Sequence, residues 1–267
     1  MLVVALCNQK GGVGKTTTAL NLARAAHLRG LSTLIGDLDP QANTTTTLLG
    51  QAPDVTCAES VADVLSARSD TTLADVITKT GWEHVDVLPS GGDTLADVGT
   101  ELVLMGPGRE HRLKEAFTAH LASPDAKDYA LVLLDCPPAL DLLTINALTA
   151  ADCVVIVTKA ALWSSDGIAR LLATLDAVRK YSNPDLAIRG VIVNEFERTR
   201  RQRHWLGELL DNSPAPVWQP PVPKATWIAE AVEAGSGLDE WNTPAASSLA
   251  TTYDGYLTHL LDGAGTT

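Results

Sequence analysis

Asn8-Gln9-Lys10-Gly11-Gly12-Val13-Gly14-Lys15-Thr16-Thr17 is the stretch on which the reading of this chain turns. An apolar run, Leu2-Val3-Val4-Ala5-Leu6, precedes it. A helical pattern follows, with Ala19, Leu20, Leu22, Ala23 and Ala26 apolar and Asn21, Arg24 and Arg29 polar. Strand, glycine-rich turn and helix in that order are the context of a phosphate-binding loop. Glycines let backbone N–H groups converge on phosphate oxygens with no Cβ in the way. The helix start adds unpaired donors and the positive end of its dipole. In such a loop Lys15 reaches the β/γ-phosphates, and the Thr16 hydroxyl is available to Mg²⁺. The usual pattern needs a glycine where this chain has Gln9, and a second lysine, Lys10, opens the glycine run. A charge at that front edge is able to turn away from its own phosphate and reach a nucleotide held by a facing subunit.

Outward from the loop, Leu31 to Gly36 reads as a second strand after the Arg29-Gly30 helix end. It delivers Asp37-Leu38-Asp39-Pro40-Gln41 to a strand's C-terminal edge, where open parallel sheets bind ligands. Gly36 replaces the bulky apolar residue expected of a buried strand, which suggests close packing. The threonines at 44–47 read as a cap for the next helix. Tyr129-Ala130-Leu131-Val132-Leu133-Leu134-Asp135 is a continuous apolar strand ending in a carboxylate, the form in which an aspartate holds a water on Mg²⁺. Cys136 follows Asp135, so the glutamate base that many nucleotide hydrolases carry there is missing.

KGGVGKTT, DLDPQAN and Leu133-Leu134-Asp135-Cys136-Pro137-Pro138, in this order, resemble the deviant Walker A ATPases of the ParA/MinD/Soj superfamily, most closely the ParA/Soj partition ATPases. The resemblance reaches to about residue 240. It implies ATP and Mg²⁺, with Lys10, Gly11, Gly12, Val13, Gly14, Lys15, Thr16 and Thr17 around the phosphates. It implies Thr16, Asp39 and Asp135 about the metal, and Lys10, Lys15 and Asp39 in turnover, with Asp39 positioning the attacking water. Adenine contacts fall on Asn194 and on a Pro-x-Asn element that here reads Pro223-Lys224-Ala225, departing from the family at Ala225. The implied activity is slow, Mg-dependent ATP hydrolysis that serves DNA segregation. An ATP-bound homodimer binds non-specific double-stranded DNA, and a ParB-like partner stimulates hydrolysis and resets it to monomer. In Soj relatives, basic residues matching Arg198 and Lys224 contact DNA.

The chain's 267 residues suit an α/β fold, and 45% apolar content is ample for a core that is aliphatic rather than aromatic. A net charge of −12 excludes a protein coated in basic residues, so any nucleic-acid contact needs a local patch. Cys7, Cys57, Cys136 and Cys153 have no paired metal spacing and read as buried thiols of a cytoplasmic protein. The N-terminus lacks a signal-peptide pattern, and no apolar run approaches a membrane span.

The remaining pattern alternates strands and helices. Short helices are expected around Val61-Leu65 and Leu73-Ile77, a strand at His84-Leu88, and helices at 109–121, 141–149 and from Ser164 or Ser165 to Tyr181. Strands are expected at Cys153-Val157 and Arg189-Asn194. Helices follow at 204–212, 226–234 and 244–262, with residues 263–267 frayed. The expected architecture is a single doubly wound, mostly parallel sheet with helices on both faces, one domain over 1–267. Between Glu195 and His204 lie Arg198, Arg200, Arg201 and Arg203; their clustering adds Arg200, Arg201 and Arg203 to the DNA-contact set. The rival reading is a MinD-like positioning ATPase acting without DNA. That reading calls for a basic amphipathic C-terminal helix, whereas Leu249 to Asp262 holds no lysine or arginine. A nitrogenase-iron-protein or cobyrinate-amidase relative would call for cluster cysteines or a further catalytic domain.

Overall fold

The computed structural model of the chain describes residues 1–50, 59–124, 126–161 and 165–262. Cys57, Ser164 and the tail 263–267 lie outside the described residues. Strands β1 (Leu2–Cys7), β2 (Thr33–Asp37), β3 (Thr78–Lys79), β4 (Val85–Leu88), β5 (Leu131–Asp135), β6 (Cys153–Lys159) and β7 (Ala187–Asn194) make one sheet in the order β3-β4-β2-β5-β1-β6-β7. Every pairing is parallel except that of β3 with β4. The strand order reverses at β1, which puts the loop that follows it at the switch point of the sheet.

Alternation along each strand divides the apolar side chains between two layers. Val3, Ala5, Cys7, Val132 and Leu134 face one core with α3 (Val61–Leu65), α4 (Leu73–Val76), α5 (Asp93–Leu104), α6 (Arg112–Leu121), α7 (Leu142–Ala150) and α8 (Ser165–Tyr181). Leu2, Val4, Leu6, Leu131 and Leu133 face the other, with α1 (Lys15–Leu28), α10 (Thr226–Glu233) and α11 (Pro244–Asp262). Because both faces are covered, the central strands are apolar throughout rather than alternating. Gly36 meets the expectation of close packing: a Cβ there would come within 2.9 Å of Leu134 Cδ2.

The sheet and the crossovers follow the sequence pattern, with differences that have local causes. Helix α5 is an addition to the expected elements, although Leu95, Val98 and Leu102 recur at helical spacing and are buried. Strand β3 has two exposed residues and no apolar pattern to announce it. Helix α6 starts at Arg112 rather than 109. Helix α9 (Arg200–Asn212) begins ahead of the expected 204, because Thr199 caps it: its hydroxyl accepts the Gln202 N–H at 3.2 Å. The threonines at 44–47 do not cap α2 (Asn43–Leu49). Its cap position is Ala42 in the left-handed region, and Thr44 and Thr45 are buried inside the helix.

Candidate nucleotide site

The loop after β1 is held open from below. Asn8 is buried; its Nδ2 donates to Val157 O at 2.7 Å and its Oδ1 accepts the Lys10 N–H at 2.9 Å. Gly14 ends the loop at φ 89°, where an L side chain is strained. From the end of β7, Asn194 Nδ2 donates to Val13 O at 2.9 Å, and a Cβ on Gly14 would lie 1.8 Å from that nitrogen. Glycine is therefore required twice over, by backbone and by space. Lys15 is buried at the start of α1, whereas Lys10, Gly11 and Gly12 are exposed at the front edge. The structure gathers Lys10 to Thr17 and Asn194 around one cradle. Pro223 is exposed and bridges to Phe196, two residues beyond Asn194, with the Lys224 N–H donating to Phe196 O at 3.2 Å.

Asp135, at the end of β5, faces the start of α1. Its Oδ2 accepts the Thr16 hydroxyl at 2.7 Å and the Thr44 hydroxyl at 2.8 Å. Its Oδ1 is buried with no partner among the described residues. Directly beside it in register lies Asp37 of β2. Asp37 Oδ2 accepts both the N–H and the hydroxyl of Thr45, at 2.8 and 2.7 Å. Burial, with the Asp135 charge adding to it, pushes the Asp37 carboxyl up to about 7. Burial likewise pushes Asp135 up to about 6, against the lowering pull of the Thr16 and Thr44 hydroxyls and of Lys15.

Asp39 sits half-exposed on the turn after β2. Its Oδ1 accepts the Gln41 N–H at 3.0 Å, and its carbonyl accepts the Ser90 hydroxyl at 2.8 Å. Its Oδ2 takes no hydrogen bond from the described residues, so that oxygen is available to a water. Among the described residues no group of three His, Cys, Asp or Glu side chains is placed to hold a metal by itself. A small divalent cation shared with phosphate oxygens nevertheless fits: the Thr16 hydroxyl and the orphaned Asp135 Oδ1 are hard oxygen donors on one side of the cradle.

Asp37 joins the site from within DLDPQAN but without a role assigned by the sequence, and Thr44, Thr45 and Ser90 join it without a motif to mark them. Thr44 meets its partner 91 residues along the chain, and Ser90 meets Thr45 at a separation of 45. Only the two aspartates of Asp37-Leu38-Asp39 hinted at a second carboxylate. Cys7, Cys136 and Cys153 are free and buried, and the Cys7 and Cys136 sulfurs lie 3.3 Å apart.

The basic residues expected to meet DNA form a separate group. Arg198, Arg200, Arg201 and Arg203 are all exposed, on the β7–α9 connection and the first turns of α9. Lys224 is also exposed, but it pairs with Glu197 at 3.3 Å.

A parallel sheet with a phosphate loop at its switch point and a carboxylate at the end of the adjacent strand defines a P-loop nucleotide-binding protein. A family model described as an AAA domain matches residues 1–188. Soj, the sporulation initiation inhibitor protein of Bacillus subtilis, is 37% identical over 238 residues, 88% of this chain and 89% of its own length. The chromosome partitioning protein ParA of Caulobacter vibrioides is 34% identical over 250 residues, 93% and 90% of the two chains. A Mycobacterium smegmatis crystal structure, described as cobyrinic acid a,c-diamide synthase with a bound ATP analogue and magnesium, superposes with a TM-score of 0.80. It is 33% identical, with 98% of this chain and 97% of that one covered. The chain belongs to the Soj/ParA family of P-loop proteins.

Proposed function

We propose that the chain is a partition ATPase: a slow, Mg²⁺-dependent ATP switch in which residues 1–267 act as one domain. The observation that carries this reading is the meeting of Lys15, Thr16 and Asp135 under a glycine loop at the sheet's switch point. The loop N–H groups and the start of α1 bind the phosphates, and Lys15 offsets their charge. Thr16 and Asp135 would hold Mg²⁺, with Asp39 alongside; when bound, the ion would supply positive charge against the phosphates. Asp39 Oδ2 orients the attacking water, since position 136 is a cysteine whose buried thiol is pushed up by its hydrogen bond with Cys7 and by burial, and is no base. Asn194 and Pro223 border the adenine.

Lys10 contacts the nucleotide of a second copy, so the γ-phosphate links two subunits and its loss releases them. The ATP-bound dimer binds non-specific double-stranded DNA through Arg198, Arg200, Arg201, Arg203 and Lys224. Three arginines at the start of α9 oppose the helix dipole, which favours a role outside folding. They also favour partition over the synthase activity named for the M. smegmatis chain. A ParB-like partner stimulates hydrolysis. The protein acts in the cytoplasm, at the nucleoid when ATP is bound; no described helix is long and apolar enough to cross a membrane. The test is light scattering and phosphate release with ATP, ADP and DNA. A dimer with ATP but not ADP, and DNA retention confined to the dimer, is expected. No phosphate release and no ATP-dependent dimer would refute the reading.

A further inference from the structure

Helix α2 lies outside the glycine loop in sequence, yet it reaches the carboxylates behind it. The Thr44 hydroxyl and the Thr16 hydroxyl donate to the same oxygen, Asp135 Oδ2, at 2.8 and 2.7 Å. Two donors on one oxygen fix the plane of the carboxyl group. They leave Oδ1 buried and without a partner among the described residues, a state that is costly until something occupies it. The turn carrying Asp39 has other anchors: Thr45 on Asp37, and Ser90 on the Asp39 carbonyl. Neither anchor touches Asp135. The Leu38 N–H donates to the Asp135 carbonyl at 2.9 Å, which joins the two backbones; among the described residues Thr44 is the side-chain link from the α2 side to the Asp135 carboxyl group itself.

We infer that Thr44 is a positioning residue: from the α2 side it aims Asp135 Oδ1 at the cation's water, and it ties the Asp39 turn to that same carboxyl group. Cation occupancy and the placing of Asp39 then become one event. A group that orients a metal-facing carboxylate commonly controls metal affinity without touching the metal. The inference rests on the ATP and Mg²⁺ reading above. A Thr44 that merely packed α2 would affect folding stability and leave the cation dependence of nucleotide binding unchanged.

The experiment uses the full chain and a fluorescent non-hydrolysable ATP analogue. Affinity is measured in EDTA and across a Mg²⁺ titration, for wild type, Thr44→Val and Thr44→Ser; kcat and KM are measured alongside. Valine keeps the shape and removes the hydroxyl. Thr44→Val is expected to match wild type in EDTA, to need about tenfold more Mg²⁺ for half-maximal tightening, and to lose kcat more than KM. Thr44→Ser is expected to restore the Mg²⁺ midpoint. A wild-type midpoint in Thr44→Val overturns the inference while leaving the ATPase reading intact. If wild type itself binds no analogue, both fall. Should Thr44→Val not fold, Thr44→Ala takes its place in the same comparison: a raised Mg²⁺ midpoint supports the inference and a wild-type midpoint overturns it.

Discussion

Asp37 and Asp135 stand side by side in register at the ends of β2 and β5, both closed off from water. Two carboxyl groups so placed do not ionise independently, and the protonated form is favoured in the folded chain. For Asp37 the folded value lies near 7, raised by burial first and by Asp135 second. Between the ordinary carboxylate range and that value, the unfolded chain is ionised while the native chain keeps its proton. The unfolded state then binds fewer protons, so stability falls as pH rises through this window and levels off above it. The nucleotide-free protein in EDTA should therefore lose Tm from about pH 4 to about pH 7. Asp37→Asn, which imitates the protonated acid, should flatten that curve. Parallel Tm curves for the two proteins would show that Asp37 does not set the slope.

Lys15 is buried at the foot of α1, and Lys10 is exposed at the loop's edge. Lys15→Ala should abolish tight nucleotide binding. Lys10→Ala should bind nucleotide but fail to dimerise with ATP and fail to turn over. Equilibrium binding and light scattering on the two variants separate the roles; normal ATP-dependent dimers of Lys10→Ala would end the cross-subunit assignment.

Asp39 keeps one carboxylate oxygen clear while the turn holds the other. Asp39→Ala should bind ATP and dimerise, with hydrolysis slowed by about 10²–10⁴-fold. Single-turnover phosphate release checks this, and a wild-type rate in the variant would move water positioning elsewhere.

Gly14 and Asn194 fit each other with no room for a methyl group. Gly14→Ala should cost at least about 1 kcal/mol from its left-handed backbone alone, plus the clash. Adding Asn194→Ala should remove the clash and leave the backbone cost. Urea unfolding of both single variants and the double variant reads the coupling; strict additivity would mean the two residues do not meet.

The α9 arginines Arg200 and Arg201, with Arg198 just before them, sit on the surface of a chain that is acidic overall. DNA retention by the ATP-analogue dimer should fall steeply with salt, and Arg198→Glu or Arg201→Glu should each flatten the log–log slope by about one unit. Pairing joins two patches on one duplex, so monomers should bind far more weakly. Unchanged affinity and slope in both variants, with dimers intact, would put the DNA surface on another face.

The loop and the β5 carboxylate were legible because their signals are local: a strand, a turn and a helix start follow one another directly. The central strands were legible for the same reason, in runs such as Cys153-Val154-Val155-Ile156-Val157. What escaped was non-local. Thr44 looks like any threonine near a helix start until Asp135, 91 residues on, is folded against it. Asp37 looks like the exposed partner of Asp39 until β5 covers it. Helix α5 was hidden by Gly99 and Thr100 inside it, even though its buried positions kept their spacing.

The clasp between the two ends of the chain bears on how the protein is made. Helix α1 lies against α11, where Arg29 pairs with Asp254 at 2.6 Å and donates to Thr258 at 2.6 Å. During synthesis the phosphate loop and α1 leave the ribosome early, but Asp254 is encoded 225 residues after Arg29. Contacts that distant form late, and domains complete their packing only once such partners exist. A nascent chain therefore carries a finished nucleotide motif on an uncovered helix until residues 244–262 emerge, and a message broken before that point yields a product with an exposed apolar flank rather than a working switch.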